Sequence, residues 1–574
     1  MTVRIALFTD SHIHPEPHNP EAAYASDALH NDRSRAVVRY LNHASPDLVA
    51  HLGDITHPVP GRPTHEDTVH LAHHIYSDLN APFIVVPGNH DVGDKPQGWA
   101  TAPRATPERH LLFQQTWGDP WGTTRLQDPH DPDHVVRLIW LDSPILNSGL
   151  PMAAVQASWL VDTLRDAEQA GETIIALTHY PPFLLHPEEP EHYDNVAQPA
   201  RQWLLDTLCQ YGTRALYCGH VHHIVTNRYR DMDIMVLPGI SFIRPGYADL
   251  CRVPPLSENG REAPHKLGFV VLHIDSEQTH LEPVRLDPAP EHHVGQRPPR
   301  PSPLAVTLRH DWAFPRTIPA MGLDEFRRKR VRNDLAIWSL WELGIRCVRV
   351  PAEDLRDEAT LTRWMDLHRT GLRLLVWSAG DAAVRDAALV SEVHAASPDL
   401  LWGWEVVTLG GSLPPLQKPN HVPVLVSILD DRNVGGKRFT HFPSHGWGAD
   451  ALSGLEQRPP GADGLVALVR HEQDLATELS RLSQHQERLG GPWTVQIEMP
   501  RGKEGERFDD DQAISTRVAA ALHGAQRYPN LRLVLDTFID LDRGYYARNG
   551  ILDGRFRPRP AWHHLRQSVL SEGS

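Results

Sequence analysis

Short apolar runs punctuate the first half of the chain at 3–8, 48–52, 83–86, 135–141, 174–177 and 215–218. They are rich in Val and Ile and bounded by polar or turn-forming residues, so they read as buried strands. Helical spacing separates some of them. Over 153–170, Val155, Trp159, Leu160, Leu164 and Ala167 recur so as to share one face. Strands alternating with helices predict an α/β layered sheet. Strand patterning resumes at 235–237 and 268–274.

A proline-dense stretch at 287–303 cannot sit inside a strand or helix and reads as a stiff linker. Beyond it the candidate strands are 305–312, 346–350, 372–377, 400–405, 422–429, 440–445, 494–498 and 532–536. Helical patterns intervene at 335–343, 359–368 and 466–489. Eight strands spaced by helices match a (β/α)8, TIM-barrel-like domain. The expected organisation is an α/β domain over 1–286, the linker, and the barrel over 304–574.

Composition narrows the class. At 574 residues the chain is too long for one core. The net charge of −16 disfavours a general nucleic-acid binder. No apolar stretch approaches a membrane span, and the N-terminus runs straight into a strand rather than a signal peptide. Cys209, Cys218, Cys251 and Cys347 lack metal or disulfide spacing, which suits a reduced, cytoplasmic protein. Histidine is abundant at 37, so it counts only where a motif frames it.

Five motifs follow the strands of the first half: Asp10-Ser11-His12, Gly53-Asp54, Gly88-Asn89-His90-Asp91, Thr178-His179 and Gly219-His220-Val221-His222. Strand C-termini are where open α/β sheets bind ligands. Together the motifs offer carboxylate, amide and imidazole donors and no thiolate. Two cations about 3.5–4 Å apart need a bridging carboxylate and separate terminal ligands. Asp54, a short anion after a glycine at a strand end, suits the bridge. Asp10 and His12 are spaced for one metal; His220 and His222 are spaced to serve one metal each.

The ordered set resembles the calcineurin-like metallophosphoesterases, and among them the class III cyclic-nucleotide phosphodiesterase branch, over about residues 1–280. The resemblance implies one metal on Asp10, His12, Asp54 and His222, and another on Asp54, Asn89, His179 and His220. It implies that His90 is no ligand but assists at the phosphoryl group or leaving oxygen, with Asp91 orienting it. Nitrogen and oxygen donors suit two divalent or trivalent ions, Mn, Fe or Zn. Arg244 is the best substrate-binding candidate outside the motifs, and His57 is another. His14 and His223 read as rim side chains, Tyr180 as packing, and Asp94 and Lys95 as loop charges.

The second domain offers less. Glu405 ends the fourth candidate strand and Glu498 the seventh. A retaining glycosidase needs two such carboxylates about 5–5.5 Å apart. The chain end at 550–562 resembles the close of glycoside hydrolase barrels, but Trp404 stands where an Asn precedes the acid in that group. Asp536 also resembles a sugar-isomerase position. A barrel that binds a glycan, caps the phosphoesterase site or dimerises is the favoured reading. Trp377, Trp402, Trp404 and Trp447 are candidates for sugar stacking, although burial is the commoner fate of tryptophan.

The expected function is a dinuclear-metal phosphodiesterase acting on a small-molecule phosphoester by in-line attack of a hydroxide held on the metals. The alternatives are a phosphomonoesterase of the same fold and a carbohydrate-binding or glycosidase-like protein acting through the barrel. A homo-oligomer stays open.

Overall fold

The apolar runs of the first half pair into two mixed sheets. Val3–Phe8 lies inside a five-stranded sheet ordered Thr279–Arg285, Gly268–Ile274, Val3–Phe8, Leu48–His51, Phe83–Val85. It runs parallel to Leu48–His51 and antiparallel to Gly268–Ile274. The six-stranded sheet is ordered Gly122–Gln127, Val135–Trp140, Thr173–Thr178, Ala215–Cys218, Met232–Val236, Val225–Tyr229. Its four inner strands are parallel. Near-continuous apolar strands of this kind are covered on both faces, and Gly268–Ile274 is buried at every position. The computed structural model describes residues 2–18, 24–96, 103–244, 247, 257–291, 293–309, 312–319, 328–429, 444–501, 510–540 and 548–571.

The helix expected at 153–170 spans Pro151–Gln169, and Leu160, Leu164 and Ala167 of the expected face are buried with Trp159 packed beside them, but Val155 is not part of that buried face. Val155 is 59% exposed, and the buried positions are Gln156, Leu160, Thr163, Leu164 and Ala167. Gln156 earns its burial by clamping the backbone of Asp142, accepting from its N–H at 2.7 Å and donating to its carbonyl at 3.1 Å. An apolar periodicity cannot announce an amide that satisfies a strand end.

The strands of the second half close into an eight-stranded barrel: Leu304–Thr307, Cys347–Pro351, Arg373–Ala379, Leu401–Thr408, Val424–Ile428, Gly464–Val469, Trp493–Glu498 and Leu531–Asp536. Every neighbouring pair is parallel, including the closing pair of the first and last strands. One strand departs from expectation. Residues 466–469, read as the start of a helix, complete the strand Gly464–Val469, and the helix begins only at Leu475. A strand buried on both faces is an unbroken apolar run, which periodicity cannot tell from a buried helix. Asp474, which accepts from the Thr477 N–H, marks the true helix start. Of the strand expected at 440–445, residues 440–443 lie outside the described residues; His445 bridges to Leu429.

The chain forms two compact units, Met1–Pro298 with Pro315–Trp338, and Pro299–Phe314 with Ser339–Ser574. The first barrel strand therefore precedes a return to the first unit. The returning segment forms the hairpin Arg316–Pro319 and Arg328–Val331, whose Ile318 and Val331 join the core beneath the six-stranded sheet. Among the described residues no helix is long and apolar enough to cross a membrane. Cys209, Cys218 and Cys347 are unpaired, and Cys251 lies outside the described residues.

Candidate metal centre

The five motifs occupy the turns at the C-terminal ends of parallel strands from both sheets, and their backbones are unusual. Asp10, His12, Asp54, His220 and His222 all adopt left-handed φ, between 42° and 72°. Side-chain residues seldom sit there, and such positions cluster at functional sites. The turns also press together. A Cβ on Gly88 would lie 2.3 Å from the Asp54 nitrogen, and one on Gly219 would lie 2.0 Å from Thr9 Oγ1. These motif glycines are what let four loops meet in two close pairs.

Packing brings all seven sequence-predicted ligands together. Asp10, His12, Asp54 and His222 each place a donor atom within 4.8 Å of the others, as do Asp54, His179 and His220. Asp54 belongs to both sets: Oδ2 is 3.6 Å from His12 Nε2 and Oδ1 is 3.2 Å from His179 Nε2. Asn89 joins the second set, its Oδ1 being 3.2 Å from His179 Nε2. In the first set the Nε2 atoms of His12 and His222 are 3.1 Å apart, and His222 Nε2 is 3.1 Å from Asp10 Oδ1.

Surrounding bonds aim these donors. His179 Nδ1–H donates to the Leu52 carbonyl at 2.7 Å and His222 Nδ1–H to the Phe242 carbonyl at 2.9 Å, which frees Nε2 in each ring. Asp10 Oδ2 accepts from Thr9 Oγ1 at 2.8 Å and from the His220 N–H at 3.0 Å. Its Oδ1 is left buried without a hydrogen-bond partner, as are both ring nitrogens of His220. Buried polar atoms are almost always satisfied, so orphans that converge from a nitrogen and oxygen donor set fit two cations. Burial, helped by neighbouring histidines, holds the His12 imidazole well below its ordinary pKa and keeps its lone pair free. Burial alone would lower His179, but the Asp54 carboxylate outweighs it and lifts that ring to about 9. The same pairing holds Asp54 low despite burial, which pushes the other way.

The residues around the ligands are placed less as expected. His90 packs edge-on against His12, ring centroids 4.6 Å apart, and its Nδ1–H donates to the His57 carbonyl at 2.7 Å. Asp91 does not perform that task. Its carboxylate accepts from the backbone N–H groups of Gly88 and Asp54 at 2.8 Å and of Ile55 at 3.0 Å. It thus fastens the bridging loop to the Asn89 loop. His57 lies beside the site, stacked on His14 with centroids 4.1 Å apart. Arg244 reaches toward His220 but is ion-paired with Asp194.

Asp194 is the residue the sequence did not signal. Fully buried, it takes Arg244, Lys329 and the Tyr247 hydroxyl, and its Oδ1 lies 3.6 Å from His220 Nε2. No motif frames it, and Lys329 is distant in sequence. His223 is 2% exposed and stacks on Tyr247, so it is not a rim residue. Asp94 and Lys95 are likewise buried rather than loop charges. Asp94 accepts from the Tyr180 hydroxyl, and Lys95 Nζ donates to the carbonyls of His192 and Asn195.

In the barrel, Glu405 is fully buried and bound by Arg349 Nε and His445 Nδ1, each at 2.8 Å. Burial would raise its carboxyl, but these partners hold it down at about 2. That is the reverse of what a general acid needs. Glu498 accepts from Ser444 Oγ and from the His471 N–H at 3.2 Å. Asp536 forms a two-pronged ion pair with Arg309. Trp404 and Trp447 are core residues with their indole N–H groups bonded at 3.0 Å to Ser378 Oγ and the Val426 carbonyl. Trp402 carries Arg532 over its ring, and Trp377 stays half-buried beside His445.

Residues 3–223 match the model of the calcineurin-like phosphoesterase family, so that N-terminal stretch carries a calcineurin-like phosphoesterase domain. The chain is 30% identical over 203 residues to the serine/threonine-protein phosphatase CPPED1 of Bos taurus, covering 34% of this chain and 59% of that protein. It is 26% identical over 240 residues to the glycerophosphodiester phosphodiesterase GpdQ of Enterobacter lignolyticus, covering 41% of this chain and 76% of that protein. A solved dimetal phosphatase from Danio rerio aligns with a TM-score of 0.35 at 15% identity, over 49% of this chain and 96% of that one. The matched stretch thus spans about 59% of the length of the phosphatase relatives.

Proposed function

We propose that the first unit is a dinuclear-metal phosphoesterase that cleaves phosphodiesters. The observation that carries this reading is Asp54, whose two oxygens address two separate donor sets. Asp10, His12, Asp54 and His222 would hold one ion, and Asp54, Asn89, His179 and His220 the other, drawn from Mn, Fe or Zn. When bound, the metals supply a water acidic enough to attack phosphorus at neutral pH and neutralise phosphoryl charge.

The chain's own residues do the rest. Asp91 keeps the loops of Asp54 and Asn89 in register. The His57 carbonyl fixes the ring of His90 and leaves Nε2 to hold a proton for the departing oxygen. Arg244 is tied up by Asp194 and Arg261 by Asp27. Committed arginines suit a monoanionic diester better than a dianionic monoester, and the likeness to a glycerophosphodiester phosphodiesterase supports the same choice. The phosphatase relatives favour the second reading, a phosphomonoesterase. Three unpaired cysteines support a reducing, cytoplasmic setting.

The test compares bis-p-nitrophenyl phosphate with p-nitrophenyl phosphate on the full chain, chelated and then reconstituted with Mn. Higher kcat/KM on the diester is expected. Preference for the monoester overturns the diester reading alone, and no turnover of either overturns the class.

A further inference from the structure

Beside the two expected metal sites, a third group of ligands stands apart from the motifs. His14, Asp27 and His30 each place one donor atom within 4.8 Å of the others. His30 is fully buried and Asp27 is 6% exposed. His30 Nε2 and Asp27 Oδ1 are 3.7 Å apart. An ion with bonds of about 2.0–2.2 Å to such donors spaces tetrahedral ligands at roughly 3.4 Å, so little movement is needed.

Three features separate this group from a chance cluster. His14 Nε2 and His30 Nε2 are buried with no hydrogen-bond partner, and they face the Asp27 carboxylate. The His30 ring is aimed as His179 and His222 are: its Nδ1–H donates to a backbone carbonyl, that of His12, at 3.1 Å. The backbone of His14 is clamped by Asn31, which accepts from its N–H at 2.9 Å and donates to its carbonyl at 3.0 Å. One charge opposes a cation: Arg261 Nη1 is 2.6 Å from Asp27 Oδ1. A carboxylate has lone pairs enough for both an arginine and a metal.

We propose that His14, Asp27 and His30 bind a third divalent transition-metal ion. Two imidazoles and one carboxylate, with water completing the shell, suit Zn, Mn or Fe rather than Ca. The ion ties down both neighbours of the catalytic cluster. His30 bonds to the backbone of His12, a ligand of the first metal. His14 stacks on His57, whose carbonyl holds the ring of His90. The third ion thus acts as a positioning ion, not as part of the two-metal pair.

The test is metal stoichiometry of the full chain, measured by elemental analysis after chelation and reconstitution with Zn or Mn. Three ions per chain are expected. Asp27→Asn and His30→Gln should each bind two, with circular dichroism like that of the wild type. Should those buried variants misfold, His14→Gln is the surface-side substitution that must still lose one ion. Asp54→Asn should disturb the pair yet keep the third ion, read as a Co absorption band that disappears in Asp54→Asn/His14→Gln. A wild-type chain that saturates at two ions overturns the proposal. So do His14→Gln, Asp27→Asn and His30→Gln variants that retain the full wild-type complement.

Discussion

Asp91 shows what a residue's neighbours decide that a motif does not. The Gly-Asn-His-Asp pattern placed it next to His90, and the resemblance implied that it steers that ring. In the fold its two oxygens serve three backbone N–H groups, two of them on the loop of Asp54. Asparagine is nearly isosteric, but it turns an NH2 group toward at least one of those donors and unmakes the fastening. Asp91→Asn is expected to weaken metal binding and kcat/KM by about 10–100-fold, the usual cost of losing a group that holds ligands in place. Metal competition with a chromogenic chelator checks the first effect. His90→Gln is expected to lower kcat by about 10²–10⁴-fold while leaving metal stoichiometry intact. A parallel loss of metal would mark His90 as a ligand instead. The gathering of the motif side chains was legible, because spacing after a strand fixes where a short side chain can reach. Asp194 was not, because its importance lies in partners that only folding delivers.

Strands and helices were legible to the extent that each had one covered face or one unmistakable boundary. The strand Gly268–Ile274 is observed as expected from its apolar run. Gly464–Val469 was not recognised, because an interior barrel strand shows no alternation. Barrel interiors also hide charge. Glu405 lies in a strand that reads as apolar, and only closure of the barrel sets it against Arg349 and His445. Removing its charge strands the buried Arg349 guanidinium, so Glu405→Gln is expected to cost about 3–5 kcal/mol at pH 7. The pH dependence has a definite sign. The carboxyl is held at about 2 in the fold, against about 4.3 when unfolded. Its stabilisation is therefore complete above about pH 5 and fades as pH falls toward 2. The gap in urea midpoint between wild type and variant should shrink steadily from pH 5 to pH 3. A gap independent of pH would mean that Glu405 acts through packing rather than charge.

Across the whole molecule, the chain enters the barrel, returns to the first unit, and then completes the barrel. Proline density marked the neighbourhood of the crossing but not the return, because a short amphipathic hairpin carries no domain label of its own. The return matters to the unit that carries the candidate metal centre. Lys329 is 4% exposed and pairs with Asp194, while Arg332 donates to the Thr226 carbonyl at 2.7 Å. Lys329→Met leaves Arg244 and Tyr247 as the remaining partners of a buried carboxylate that lies 3.6 Å from His220. The expected loss is about 3 kcal/mol in the first unit, the lower end of the cost of breaking a buried pair. Metals at the candidate centre would bind that unit only when it is folded, so a chelator should lower its thermal transition and leave the barrel's where it was. The two transitions can be told apart in that way. Lys329→Met should lower the chelator-sensitive one, although the substitution lies beyond the first barrel strand in sequence. A shift in the chelator-insensitive transition instead would assign the hairpin's stabilising contacts to the barrel.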